Sequence, residues 1–328
     1  MSFFAVLFAL LIEQVKPLPP QNAVHDTLIG WVRWTGRNFD AGREHHAWIV
    51  WIVTVALPAA AAAAVYLAIA QLSLLAALAW NVAVLYLTLG FRQFSHHFTD
   101  IREALERGDE DEARRRLAQW RHLDASDLPR SELLRHVIEH SLLAAHRHVF
   151  GVFFWFVVLS TLGLGPAGAV LYRMAEFASR FWAYRSRHVD TPMNPGLLDL
   201  SQRLFRLIDH VPARLTAFGF AVVGNFEEAV NGWRRDAVLW RHANEGIILS
   251  AAAGAVGVRL GGDPPPGLGS ERSRTFDTAT AEAAAAEGST PGVPPQNAHL
   301  DSIVGLVWRS VVLWMLLVAL LTLANVVG

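Results

Sequence analysis

The sequence predicts an all-α protein: a polytopic membrane helical bundle with a mostly cytoplasmic helical region and a disordered loop before the last transmembrane helix. Three observations carry this. Residues 47–91 contain no charged side chain, and as helix they are about twice as long as one bilayer crossing needs. Residues 303–327, IVGLVWRSVVLWMLLVALLTLANVV, form a second apolar run whose only charge is Arg309. Over the whole chain 53% of residues are hydrophobic and 17% charged, whereas soluble domains carry about a quarter charged residues.

Taken in order, SFFAVLFALLIEQV (2–15) is a short apolar helix without the basic start or small-residue cleavage site of a signal peptide. The 47–91 run divides into a helical hairpin of two spans, 47–69 and 72–91, with Gln71 and Ser73 near the turn and Pro58 kinking the first arm. Residues 92–148 are charged. Ile101 and Leu105, then Ala113, Leu117 and Trp120, form the apolar face of two helices broken at Gly108-Asp109. A further helix starts near Ser131 and can run straight into the next apolar segment. That segment, 149–177, is split by GLGPAG into two short helices joined at 163–168, and Arg173 and Glu176 on the second arm require a protein or water environment. Pro195 opens one helix and Pro212 ends it or begins the next, with Leu204, Leu207, Ile208 and Val211 as its apolar stripe.

Residues 261–299 are rich in Gly, Pro, Ser and Ala, a composition that cannot bury a core. Within them TAEAAAAEG (280–288) is a candidate for a transient helix. In the last span Arg309 snorkels toward the interface, and Trp308 and Trp314 suit an interfacial belt. The organisation is thus a membrane domain over 1–260, a flexible loop over 261–300 and a C-terminal transmembrane helix over 301–328. The arginines concentrate in 92–148 and 173–241, which the positive-inside tendency places in the cytoplasm.

Several function classes drop out. The chain has no cysteine, so disulfides and thiolate sites are excluded, and its net charge of −1 attracts neither nucleic acid nor anionic lipid globally. No Walker A lysine, no dinucleotide glycine fingerprint after a strand and no nucleophile elbow occurs. HVIEH (136–140) has the H-x-x-E-H form of an inverted zinc protease, with His136 and His140 one turn apart and Glu139 between them. A catalytic zinc needs a third protein ligand, and His146 and His148 lie too far along a straight helix to give one. No metal site is therefore expected.

Four stretches resemble the CobD/CbiB family and its relative AmpE: REALERGDEDEARRRLAQW (102–120), GVFFWFVVL (151–159), LIDHVPARLTA (207–217) and AGAVGVRLGG (253–262), the last with Asn244 upstream. The resemblance implies a multi-pass protein of the bacterial cytoplasmic (inner) membrane. In the cobalamin branch it implies ATP- and Mg²⁺-dependent amide formation between aminopropanol, or its phosphate, and adenosylcobyric acid. At the family's polar signatures this chain departs. Where the family has E-S-x-A-E-N-x-x-D-G, Glu139 remains but Leu143, Ala144 and Arg147 stand at the second Glu, the Asn and the Asp. In EFASRFWAYR, Glu176 and Ser179 replace the family's Asn and Asp while Tyr184 and Arg185 remain, and Phe205 and Arg206 stand at its double Asp.

A Mg²⁺ site of oxygen ligands has no use for Arg147 or Leu143. The resulting expectation is a diverged member, closer to AmpE at these positions, with an eroded ligase site, a regulatory or binding role and no cofactor. Its ligand would be a corrinoid or a cell-wall-derived small molecule, its other partner the lipid bilayer, with oligomerisation left open. The alternative is a working cobalamin enzyme, with ATP and Mg²⁺, that uses Glu139, Glu176, Asp209 and Asn244. Either way, the ligand-binding residues implied by the resemblance are His97, Glu139, Tyr184, Arg185, Arg214, Asn244 and Arg259.

Overall fold

The computed structural model describes residues 2–16, 23–40, 44–121, 125, 128–188, 194–262 and 288–327. The TAEAAAAEG segment lies outside the described residues except for Gly288. All regular structure among the described residues is helical, apart from isolated bridges joining Val258 to Val293 and Gly261 to Ser289. Three helices are long and apolar enough to cross a membrane: His45–Leu72, Arg130–Thr161 and Asn297–Ala324. The chain is a membrane protein built as an all-α bundle.

The contacts group the residues into two units. The first comprises Met1–Gln93, Arg147–Pro212 and Met315–Gly328. It begins with α1 (Ser2–Val15) and α2 (Ala23–Phe39). The expected hairpin follows as α3 (Glu44–Trp51), a π-helical segment Ile52–Ala56, α4 (Leu57–Leu72) and α5 (Leu74–Thr88). The π segment has a cause. Pro58 has no N–H to give the preceding turn, and its ring would crowd the carbonyl four residues back. The helix answers by widening over Ile52–Ala56 instead of breaking. Ser73 turns the hairpin: its φ of −158° leaves the helix, and its hydroxyl accepts from the Ala76 N–H.

The GLGPAG break gives the two helices expected of it, α9 (Gly151–Thr161) and α10 (Ala167–His188), with Gly163 at φ 78° and Gly165 at φ 57° between them. Their packing is close because of glycine. A Cβ on Gly151 would fall inside the Tyr172 ring, and one on Gly168 would strike the Trp155 carbonyl. The α10 helix also lines an apolar core of Val32, Val50, Val55, Met174, Ala178 and Trp182. Helix α11 (Pro195–Ile208) starts at Asn194, whose side chain accepts from Gly196 N–H at 3.0 Å. The stripe expected here divides: Ile208 packs against that core, but Leu207 is 69% exposed and Val211, past the end of α11, 47%, while Leu197 and Ser201 are buried. Apolarity alone does not mark the core side of a helix in a membrane protein, because lipid rewards exposed leucine too.

The second unit comprises Phe94–His146 and Ala213–Trp314. The Gly-Asp break separates α6 (Phe91–Glu106) from α7 (Glu110–Arg121): Gly108 takes φ 78° and Asp109 caps α7 through Glu112 N–H at 3.0 Å. Of the expected face, Ile101, Leu105, Ala113 and Leu117 are buried, while Trp120 is only partly so. Helix α8 (Arg130–Ala145) continues through a second π segment, His146–Phe150. Then come α12 (His210–Val223), with Pro212 in its first turn, α13 (Phe226–Asp236) and α14 (Ala243–Val256). Gly254 lets α13 and α14 touch backbone to backbone, since a Cβ there would meet the Glu228 carbonyl.

After α14, Gly257 at φ 77° reverses the chain, and residues 257–261 pair with 288–293 through Arg259 N–H to Val293 O (2.9 Å) and Thr290 N–H to Leu260 O (2.9 Å). The far side of the expected loop is therefore a paired segment. The last helix, α15 (Asn297–Val327), begins at Asn297, ahead of the expected 301. Arg309 bends back one turn to donate to the Gly305 carbonyl at 3.1 Å, the direction snorkelling requires. Trp308 is 42% exposed, but Trp314 is buried, with Gly219 beside its indole.

Candidate functional site

In the second unit Glu139 is held from two directions. Arg135, one turn back on α8, donates through Nη1 to both carboxylate oxygens at 3.0 and 3.2 Å. The Gly261 N–H donates to Oε1 at 2.7 Å. Arg135 in turn reaches Glu132 through Nη2 at 2.6 Å and touches His136 Nε2 at 3.3 Å. Arg135, His136 and Glu139 are all at least nine-tenths buried. A buried carboxylate on a guanidinium and a backbone amide is strongly bound, and here it fixes the AGAVGVRLGG segment onto α8. Arg259 lies two residues from that anchor.

The other carried-over residues of this unit make smaller groups. Arg214 Nη1 stands 3.5 Å from Asn244 Oδ1, joining α12 to the first turn of α14. His97 stacks on Trp120, with ring centres 5.6 Å apart, and Trp120 meets His140 edge-on at 4.4 Å. Burial holds the His97 imidazole below the usual histidine range. Asp100 opposes this, while His96 and Arg116 add to it. The two HVIEH histidines thus turn to different neighbours, His136 to Arg135 and His140 to Trp120. No group of three His, Cys, Asp or Glu gathers among the described residues as a metal centre requires.

The first unit holds a polar cluster that the family motifs touch only in part. The Tyr172 hydroxyl donates to Asp209 Oδ1 at 2.8 Å, both residues being buried. Glu176 is fully buried between two arginines: Arg173 Nη1 lies 2.9 Å from Oε2, and Arg180 Nε contacts Oε1. The Tyr172 and Arg180 side chains both feel the charge of Arg147. Tyr184 and Arg185, carried over from the same motif, are further along α10, where Tyr184 is 55% exposed.

The seven expected residues therefore do not make one cluster within a unit: His97, Glu139, Arg214, Asn244 and Arg259 belong to the second, Tyr184 and Arg185 to the first. Sequence reasoning missed Arg135 and Tyr172. Arg135 had a legible signal, standing three residues after one Glu and four before another. Tyr172 had none, because its partner is 37 positions away.

The chain matches the sequence profile of the CobD/CbiB proteins over residues 3–287. It is 33% identical over 247 residues to the cobalamin biosynthesis protein CobD of Stutzerimonas stutzeri, covering 75% of this chain and 74% of that one. It is 35% identical over 181 residues to the CobD of Chromobacterium violaceum, 55% of each chain. A CobD of Leptospira interrogans is 24% identical over 190 residues, 56% of each. No solved structure matches the chain. A profile match over most of the length, with the Stutzerimonas relative aligned over three quarters of it, shows that the chain belongs to the CobD/CbiB family.

Proposed function

We propose that this protein is a working enzyme of cobalamin biosynthesis, an ATP-dependent ligase that joins aminopropanol, or its phosphate, to adenosylcobyric acid. The observation that carries the proposal is the run of relatives named for cobalamin biosynthesis, one of them aligned over three quarters of both chains. It favours catalysis over the regulatory role expected from the altered signatures. That expectation rested on the acids lost at the family's motif positions. Arg147 does stand where an acid was expected, but Glu176 and Asp209 supply buried carboxylates in the same unit, with Tyr172 bonded to one of them.

In such a reaction a carboxylate oxygen accepts a phosphoryl group from ATP, and the amine then displaces phosphate to form the amide, releasing ADP and phosphate. Mg²⁺ would neutralise nucleotide charge, and it commonly needs only one or two protein carboxylates beside the phosphates. Asp209 fits that role by its chemistry, whereas Glu176 is already held between Arg173 and Arg180. Glu139 acts differently in this reading: already bound to Arg135 and Gly261 N–H, it holds the segment carrying Arg259. The setting we propose is the bacterial inner membrane, crossed several times.

Complementation tests the assignment. A host blocked in the conversion of adenosylcobyric acid should regain corrinoid synthesis when this chain is expressed. Absence of rescue with the protein present in the membrane fraction would leave a binding role.

A further inference from the structure

Helix α2 is tied by its inner face to the first long span. The Thr54 hydroxyl donates to that of Thr35 at 2.7 Å, the Trp31 indole N–H donates to the Thr54 carbonyl at 3.3 Å, and Val32 packs into the apolar core of the first unit. That span, His45–Leu72, has 28 residues. At 1.5 Å per residue it is about 42 Å long, about 12 Å more than the hydrocarbon layer. His45, His46 and the exposed Trp48 stand at its start, and such residues mark the end that leaves the hydrocarbon. Thr54 stands nine positions after His45, about 13 Å along the helix. Helix α2, bonded to Thr54, is therefore held at headgroup level.

The outer face of α2 carries Gly30, Arg33, Trp34 and Arg37, which their helical spacing makes neighbours. All four are exposed, Trp34 by 48%. Trp34 stacks on Trp31 with ring centres 5.3 Å apart, but packing does not account for the other three. A Cβ at Gly30 would meet no atom within 4 Å, yet glycine is the poorest helix former after proline. Arg33 and Arg37 are one turn apart, a spacing at which like charges repel. Arg33 lies over the Phe181 ring, 6.0 Å from its centre, a contact that uses the guanidinium face and leaves its N–H groups for other partners. Neither arginine makes a hydrogen bond or an ion pair among the described residues. The neighbouring acids are engaged or distant. Asp26 stands seven residues before Arg33, about 10 Å along the helix. Asp40, past the end of α2, accepts from the Asn194 side chain at 2.9 Å. Glu176, on the helix that supplies Phe181, is held by Arg173 and Arg180. With two arginines and two aspartates, residues 23–40 have no net charge. The face thus exerts no long-range field. What it offers is local: two guanidiniums beside a gap and an indole.

A phospholipid headgroup matches that offer. Its phosphate fills the gap over Gly30, accepts from both guanidiniums and relieves their repulsion, while the Trp34 indole sits among the headgroups. A choline would bring a third cation to the same place, and an anionic headgroup does not. We propose that Gly30, Arg33, Trp34 and Arg37 form a docking site for an anionic phospholipid of the bilayer that the chain crosses. The site goes beyond the ligase reading and does not depend on it.

Native mass spectrometry of the full-length protein in detergent, titrated with phosphatidylglycerol and with phosphatidylcholine of equal chains, tests this. Phosphatidylglycerol should bind about 25-fold more tightly, about 5-fold from each arginine, as expected of a basic residue at a lipid surface. Arg33→Gln and Arg37→Gln should each remove about 5-fold. Arg115→Gln makes the same change in net charge on an arginine of the second unit that pairs with Glu112 at 2.7 Å, and it should leave the preference intact. Gly30→Leu keeps every charge and improves helix propensity; it should melt no lower than wild type yet lose most of the preference. Glycerol 3-phosphate, which has the headgroup chemistry without acyl chains, should compete poorly. Elution profile and melting curve check folding, and if an arginine variant fails them, Gly30→Leu decides. The proposal is overturned if the wild type does not prefer phosphatidylglycerol, if the α2 variants keep the preference, or if Arg115→Gln lowers it as much as they do. It is also overturned if glycerol 3-phosphate displaces the lipid at equal concentration, which would make the ligand a soluble phosphate.

Discussion

Removing the Glu139 carboxylate should be among the costliest single changes in the second unit. Arg135 is 4% exposed and Glu139 7%. Glu139→Ala strands a buried guanidinium, which costs about 3–5 kcal/mol, and leaves the Gly261 N–H without this acceptor. Glu132 keeps two contacts with Arg135, from Nε at 2.9 Å and from Nη2 at 2.6 Å, so the lower half of that range is expected. The Arg135→Leu/Glu139→Leu double variant separates the terms. It removes the stranded charge and leaves chiefly the unsatisfied Gly261 N–H, worth about 1–3 kcal/mol. The double variant should thus be more stable than Glu139→Ala. The assay is reversible unfolding in mixed micelles, read by tryptophan fluorescence. A Glu139→Ala protein as stable as wild type, or a double variant less stable than the single one, would refute the reasoning.

Three further outcomes follow from the packing and the caps. Gly151→Ala should destabilise the α9–α10 pair by about 1–3 kcal/mol, the cost of overpacking, because Tyr172 occupies the space its Cβ needs; adding Tyr172→Phe should not restore it, since the ring carbons clash as well, and the same unfolding assay checks both. Asp109→Ala removes the α7 cap and should cost about 0.5–2 kcal/mol, whereas Asp109→Asn should cost far less. His97 has its folded pKa below the usual value of about 6.5. The unfolded chain therefore binds the extra proton first, so this residue's share of stability is complete above that value and lost as pH falls below it. His97→Phe should flatten the stability profile just below about pH 6.5; an unchanged slope would contradict the burial argument.

The fold was legible wherever one local rule governed it. Charge-free length gave the hairpin, Gly108-Asp109 and GLGPAG gave the breaks, and Pro195 gave a helix start. Rules failed where two solvents compete. Leu207 and Val211 look like core residues to a periodicity argument, but in a membrane protein an apolar face has two acceptable destinations. The pairing of 257–261 with 288–293 was hidden because Thr290 and Val293 sit in a stretch whose composition reads as linker, and their partners are about thirty residues back. The site was legible only as single letters. Glu139 and Asn244 were found by resemblance, and Arg135 meets Glu139 by helical spacing alone, whereas Gly261 reaches Glu139 and Tyr172 reaches Asp209 only through tertiary packing. Reading erosion from the altered signatures weighed aligned letters alone, and letters do not show which buried carboxylates, such as Glu176 and Asp209, share a unit once the chain folds.

The most direct test of the whole account is turnover by the purified protein in proteoliposomes, given adenosylcobyric acid, aminopropanol or its phosphate, ATP and Mg²⁺. The account predicts a new corrinoid whose mass equals acid plus amine less one water, formed with ADP and dependent on ATP. Recovery of unaltered adenosylcobyric acid from folded protein, with either amine and ATP present, would contradict it.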